Sequence, residues 1–79
     1  MKYASFRPVS VTIALPTGNI QGPGLALLAR AEVIRVTPQQ LGRRLLVEAG
    51  GVRLVVVRPA DVVAYVEQGA ADLGIVGKD

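Results

Sequence analysis

GGVRLVVVRPADVVAYVEQGAADLGIVGKD, Gly50 to Asp79, is the stretch on which the fold turns. Val52–Arg58 is β-branched and apolar, as a buried strand requires. Pro59 ends it and opens a helix through Gln68, because proline suits a first helical turn and cannot continue a strand ladder. Val62, Val63 and Val66 are expected to line one face of that helix. Asp61 sits in the first turn, where the helix dipole favours a negative charge, and Gly69 stands just past the end. Leu73–Val76 then reads as a second strand, apolar on both faces, with Gly77, Lys78 and Asp79 at its carboxyl end. A strand, a helix and a strand of these lengths predict two parallel strands, and in open α/β sheets ligands bind outside the carboxyl ends.

Upstream, Arg44–Ala49 is another strand-like run. Gly50 and Gly51 separate it from Val52, and two glycines supply the positive φ of a tight hairpin. Thr37 is placed to cap a short helix from Pro38 through Leu41. Glu32–Val36, EVIRV, reads as a short strand. Leu25–Ala31 holds strong helix formers, with Pro23 in the first turn and Leu25 and Leu28 on one face; Gly24 weakens that helix. Val9–Leu15 is a strand buried on both faces, closed by the turn Pro16–Asn19. Residues 1–8 read as a ragged leader. The predicted order is about β-α-β-β-α-β, an α/β fold in one domain spanning 1–79.

The composition narrows the chemistry. The chain has 79 residues, 51% of them hydrophobic, and carries a formal charge of +3. It contains no cysteine and no histidine. Disulfides, thiolate nucleophiles, cysteine zinc sites and the commonest general base are therefore excluded. The lack of cysteine fits a cytoplasmic protein. No apolar run reaches the roughly 18 residues of a membrane span, and the first ten residues lack the apolar core of a secretory signal. The nine basic residues are scattered among few aromatics. They suit a solvated surface or a phosphorylated small molecule better than a nucleic acid.

Three loops following strands carry the residues of interest: Thr17, Gly18 and Asn19 after the first strand, Arg58 before Pro59, and Gly77-Lys78-Asp79 after the last. In a parallel sheet they share one edge, which offers an anion glycine amides, helix N-termini, a guanidinium and an ammonium. The same glycines and prolines also serve simply to turn the chain. Neither GxGxxG nor a P-loop is present. No catalytic residue and no metal ligand stands out.

The segment Gly50–Asp79 resembles the N-terminal region of the ATP phosphoribosyltransferase family, with a strand ending in Arg-Pro, an Asp-Val helix holding Tyr-Val, and GAADLGIVGKD. Thr12–Ile20, TIALPTGNI, sits where that family has a strand followed by Pro-Lys-Gly-Arg. Between Gln21 and Gly42 the match is poor. The resemblance implies part of one lobe of a type II periplasmic-binding-protein-like fold, with substrates in a cleft between two lobes. The activity it implies is transfer of phosphoribosyl from phosphoribosyl pyrophosphate to N1 of ATP, the first step of histidine biosynthesis, with magnesium carried by the substrate phosphates. Arg58 would face phosphates, Asp79 would help recognise the adenine side, and Gly77 would let the backbone approach closely. Short members of the family associate with a regulatory subunit resembling histidyl-tRNA synthetase.

The resemblance also implies that the chain corresponds to an N-terminal piece, inactive by itself. Thr17 and Asn19 depart from the family, which has Lys and Arg there, and the change removes two charge-assisted contacts to phosphate. Gly22-Pro23-Gly24 departs in a helix that otherwise runs well. Two other readings stand beside this one. One is a non-catalytic half-lobe that binds a phosphorylated ligand. The other is a self-associating or engineered scaffold domain, since three strands apolar on both faces have few helices to cover them and homo-oligomerisation is expected.

Overall fold

The structure, a computed structural model, describes residues 11–76. The expected leader 1–8, the start of the first strand at Val9 and Ser10, and Gly77, Lys78 and Asp79 lie outside the described residues. Four strands form one mixed sheet: β1 (Val11–Pro16), β2 (Leu46–Ala49), β3 (Val52–Val57) and β4 (Leu73–Gly74). Their spatial order is β2-β3-β1-β4. β3 and β4 both run parallel to β1, and β2 runs antiparallel to β3. The helices are α1 (Gln21–Arg30), α2 (Pro38–Leu41) and α3 (Val62–Glu67), the last entered through a 3-10 turn at Pro59–Asp61. The α/β class and the predicted element order hold, with α2 as the extra element.

Strand alternation sorts the core onto two faces. Ile13, Leu15, Val52, Leu54 and Val56 pack with Leu25, Leu28, Ile34 and Leu41 on the side of α1 and α2. Ala14 and Val57 pack with Val62 and Ala71 on the side of α3, with Val55 and Tyr65 against them. Residues Ile13–Pro16 of β1 are all buried, as expected of a central parallel strand. The hairpin forms as its two glycines predict, with Gly50 and Gly51 at φ 59° and 81°. Thr37 and Gln40 close a reciprocal capping box on α2: the Gln40 N–H donates to Thr37 Oγ1 at 3.1 Å, and the Thr37 N–H to Gln40 Oε1 at 2.9 Å.

Four expectations need correction. First, Glu32–Val36 is not a strand. Glu32 lies in the left-handed region at φ 59°, its N–H donates to Ala29 O, and the Val33 N–H donates to Leu28 O. These are the two bonds that close a helix in a Schellman motif, so the residues read as a strand are spent terminating α1. Glycine is the usual residue at that position, and the left-handed conformation costs a residue with Cβ about 1–2 kcal/mol. Glu32→Gly is therefore expected to raise stability by up to about 1 kcal/mol in urea unfolding. Second, α1 begins at Gln21, earlier than predicted, and Gly24 is buried in it. A Cβ on Gly24 would stand 3.3 Å from both Leu15 Cδ1 and Ile75 Cδ1. The glycine read as a weak point is one where α1 packs tightly against Leu15 and Ile75.

Third, Val62, Val63 and Val66 do not share a buried face. Val62 is 1% exposed but Val63 is 54% exposed, because consecutive helical residues point about 100° apart. Fourth, the last strand is not buried on both faces. β4 lies at the sheet edge, with Leu73 and Val76 mostly in solvent. It is held by the Asp72 N–H donating to Thr12 O, by the Thr12 N–H donating to Asp72 Oδ2, both at 2.8 Å, and by the Ile75 N–H donating to Ala14 O at 3.0 Å.

Candidate functional site

Because β1, β3 and β4 are mutually parallel, their carboxyl ends share one edge. β1 and β3 are neighbours, yet they leave the sheet in opposite directions. The chain after β1 enters α1 on one face, and the chain after β3 enters α3 on the other. Divergence of this kind is a topological switch point, and it opens a crevice outside the two strand ends.

The turn Thr17–Ile20 and Arg58 stand on either side of that crevice, joined by the Thr17 N–H donating to Val57 O at 2.9 Å. Thr17, Gly18 and Asn19 are exposed, and Gly18 has φ 93°, a conformation that costs residues with Cβ. The Arg58 side chain is 84% exposed and meets Asp61 only through Nε, at 3.4 Å. A surface pair of that kind contributes little to stability and leaves the guanidinium available. The structure thus brings Thr17, Gly18, Asn19 and Arg58 to one edge of the sheet. Gly77, Lys78 and Asp79 lie outside the described residues.

The sequence reading missed two further arginines at this edge. The Val56 N–H donates to Leu45 O at 2.9 Å, which continues the antiparallel pairing beyond Leu46 and Val55. Arg44 and Arg43 precede Leu45, so they flank the end of β3 where Arg58 emerges. Arg44 Nη1 donates to Gln40 O at 2.8 Å, and Arg43 is exposed. The signal for Arg44 was available, since counting outward from Gly50 and Gly51 sets it beside the end of β3, while Arg43 lies in the turn that follows α2, where the Arg44 N–H donates to Leu41 O at 3.0 Å. Among the described residues no group of three His, Cys, Asp or Glu side chains is placed to hold a metal ion.

The chain thus falls in the class of small α/β sheets that carry exposed cations and a glycine turn at a switch-point edge. Comparison with known proteins narrows the class. No protein-family model matches the chain. It is 45% identical over 71 residues to an ATP phosphoribosyltransferase of Caldicellulosiruptor saccharolyticus, covering 87% of this chain and 34% of that protein. Similarity of the same kind extends to the ATP phosphoribosyltransferases of Methylococcus capsulatus, at 46% over 87% of this chain and 33% of the relative, and Rubrobacter xylanophilus, at 49% over 85% and 31%. The chain is homologous to a segment of ATP phosphoribosyltransferase, and it spans about a third of the length of the curated relatives it matches.

Proposed function

We propose that this chain supplies one wall of the substrate site of an ATP phosphoribosyltransferase, the enzyme that joins the phosphoribosyl group of phosphoribosyl pyrophosphate to N1 of ATP at the start of histidine biosynthesis. The observation that carries this reading is the coincidence of that homology with a cationic edge at the switch point. In the reaction the bond from the anomeric carbon to pyrophosphate breaks, a bond to N1 forms, and pyrophosphate departs. Such a transfer asks the protein to position two polyphosphates and stabilise their charge, which guanidinium groups and backbone amides do without histidine or cysteine. Arg58, Arg43 and Arg44 would hold phosphate oxygens, and the Thr17–Asn19 turn would supply neutral hydrogen bonds. Lys78 would add a charge and Gly77 a close backbone approach, with Asp79 on the adenine side.

Magnesium would arrive bound to the substrate phosphates. The same reading includes a type II periplasmic-binding-protein-like lobe, a second lobe beyond the cleft, a regulatory subunit resembling histidyl-tRNA synthetase and a cytoplasmic setting. Among the described residues no helix is long and apolar enough to cross a membrane.

Thr17 and Asn19, neutral at positions where a cation would grip phosphate, favour a second reading in which the chain binds an anion without catalysis. Calorimetric titration with ATP and with pyrophosphate at low and high salt tests the shared site. Weak binding that fades with salt is expected, because an open site is screened. Arg58→Ala and Arg43→Ala should each weaken it roughly tenfold, the loss of about one charge-assisted contact. Salt-independent binding, or binding indifferent to both substitutions, would move the site elsewhere. Turnover by the chain alone, with both substrates and magnesium, is not expected; turnover surviving repurification would contradict the one-wall reading.

A further inference from the structure

We propose that Asp72 is a positioning residue: its carboxylate clamps the start of β4 to β1, and so fixes the strand end from which Gly77, Lys78 and Asp79 follow. The use of that end for an anion rests on the reading above; the clamp itself does not.

β4 is a two-residue strand with the register Ile13↔Leu73 and Ala14↔Gly74. It lies at the sheet edge and pairs with β1 alone. Side chains hold it poorly. Leu73 and Val76 are mostly exposed, Gly74 has no side chain, and Ile75 alone of Leu73–Val76 packs against the larger core cluster. Hydrogen bonds therefore set its place. At one end Asp72 meets both backbone groups of Thr12: its N–H donates to Thr12 O, and its Oδ2 accepts from the Thr12 N–H, each at 2.8 Å. At the other end the Ile75 N–H donates to Ala14 O at 3.0 Å.

The carboxylate takes the part of a backbone carbonyl. Just before Asp72 the chain is still closing α3, where the Ala70 and Ala71 N–H groups both donate to Tyr65 O, at 2.9 and 3.0 Å. The Thr12 N–H is met by a side chain instead, and an aspartate carboxylate suits that task because it accepts backbone N–H bonds locally and its charge strengthens them. Thr12 is a firm reference point, since Ile13–Pro16 directly after it are buried in the central strand. A slip of one residue would turn Ile75 away from Leu15 and Gly24 and carry the strand end about 3.3 Å along the sheet. A displacement of that size exceeds what a hydrogen bond to a fixed anion tolerates.

Charge alone predicts the opposite effect. A carboxylate repels an anion, so removing Asp72 would strengthen anion binding if it acted only through its charge. A clamp predicts weaker binding.

The test is amide NMR on the whole 79-residue chain, with inorganic pyrophosphate as the probe. Asp72→Asn keeps an oxygen at the same reach without the charge, Asp72→Glu keeps the charge at a different reach, and Asp72→Ala keeps neither. The Gly77 and Lys78 amide shifts should stay near those of the parent in Asp72→Asn and move in the other two. In the titration Asp72→Ala should weaken binding about tenfold, as Lys78→Ala does, and the two together should be no weaker than either alone. Asp72→Ala with Arg58→Ala should instead multiply to roughly a hundredfold, as independent sites do. Should Asp72→Ala fail to fold by circular dichroism, the Asn and Glu variants carry the same comparison. The proposal is overturned if the Gly77 and Lys78 shifts ignore Asp72→Glu and Asp72→Ala, or if Asp72→Asn moves them as far. It is also overturned if the losses from Asp72→Ala and Lys78→Ala multiply. If the parent chain does not bind pyrophosphate while the shifts respond as stated, the ligand reading falls and the clamp stands.

Discussion

Leu54→Ala is expected to leave the chain largely unfolded at room temperature. Leu54 is fully buried in β3, paired in register with Ile13 of β1 on one side and Val47 of β2 on the other. Its side chain joins those of Leu25, Leu28 and Leu41 in the larger core cluster. Truncating a buried leucine costs about 2–5 kcal/mol, the transfer term plus the cavity left behind. A core in a chain of this size supplies about 3–5 kcal/mol in all. The expected loss therefore equals most of the stability. Far-ultraviolet circular dichroism and urea unfolding should show a collapsed or absent native baseline. A two-state transition with a midpoint near that of the parent would mean that the sheet is not held by this cluster.

Gly74→Ala is the second. A Cβ at position 74 would stand 2.5 Å from Val62 Cγ1 and 3.1 Å from Val66 Cγ2. Val62 has little freedom to yield, being β-branched, helical and 1% exposed. Either α3 lifts from the sheet or β4 leaves β1, and overpacking of this kind costs about 1–3 kcal/mol. Val62→Ala made on top of Gly74→Ala should recover part of the loss, although Val62→Ala alone is destabilising. Urea midpoints of the two single variants and the double variant give the coupling between the two sites. Purely additive losses would show that Gly74 does not owe its place to the α3 contact.

Much of the fold was legible because its signals are local. Proline at 38 and 59, the glycine pair at 50 and 51, Thr37 with Gln40, and the β-branched runs each act within a few residues. The site was legible in part for the same reason. Strand ends lie where turn chemistry interrupts apolar runs, so Thr17, Gly18, Asn19 and Arg58 could be named before their neighbours were known. Arg44 was passed over because it was read as the start of a strand and not against the strand that returns beside it, and Arg43 because it fell between that run and the preceding short helix. Glu32–Val36 misled because β-branched and apolar residues look alike whether they extend as a strand or close a helix and drop Ile34 into the core.

Residue pattern was enough for the alternation of strands and helices, the hairpin, the caps, the absence of cysteine and histidine chemistry, and the resemblance to ATP phosphoribosyltransferase. It took the packed chain to place β1 at the centre and β4 at an edge, to send α1 and α3 from neighbouring strands toward opposite faces, and to make Gly24 and Gly74 points where helices touch the sheet. The physical reason is that an apolar side chain records a preference for leaving water but not which surface it meets. Which strand lies beside which, and which glycine a helix must approach, follow from packing between residues distant in the chain, such as Asp72 with Thr12 or Gly24 with Ile75.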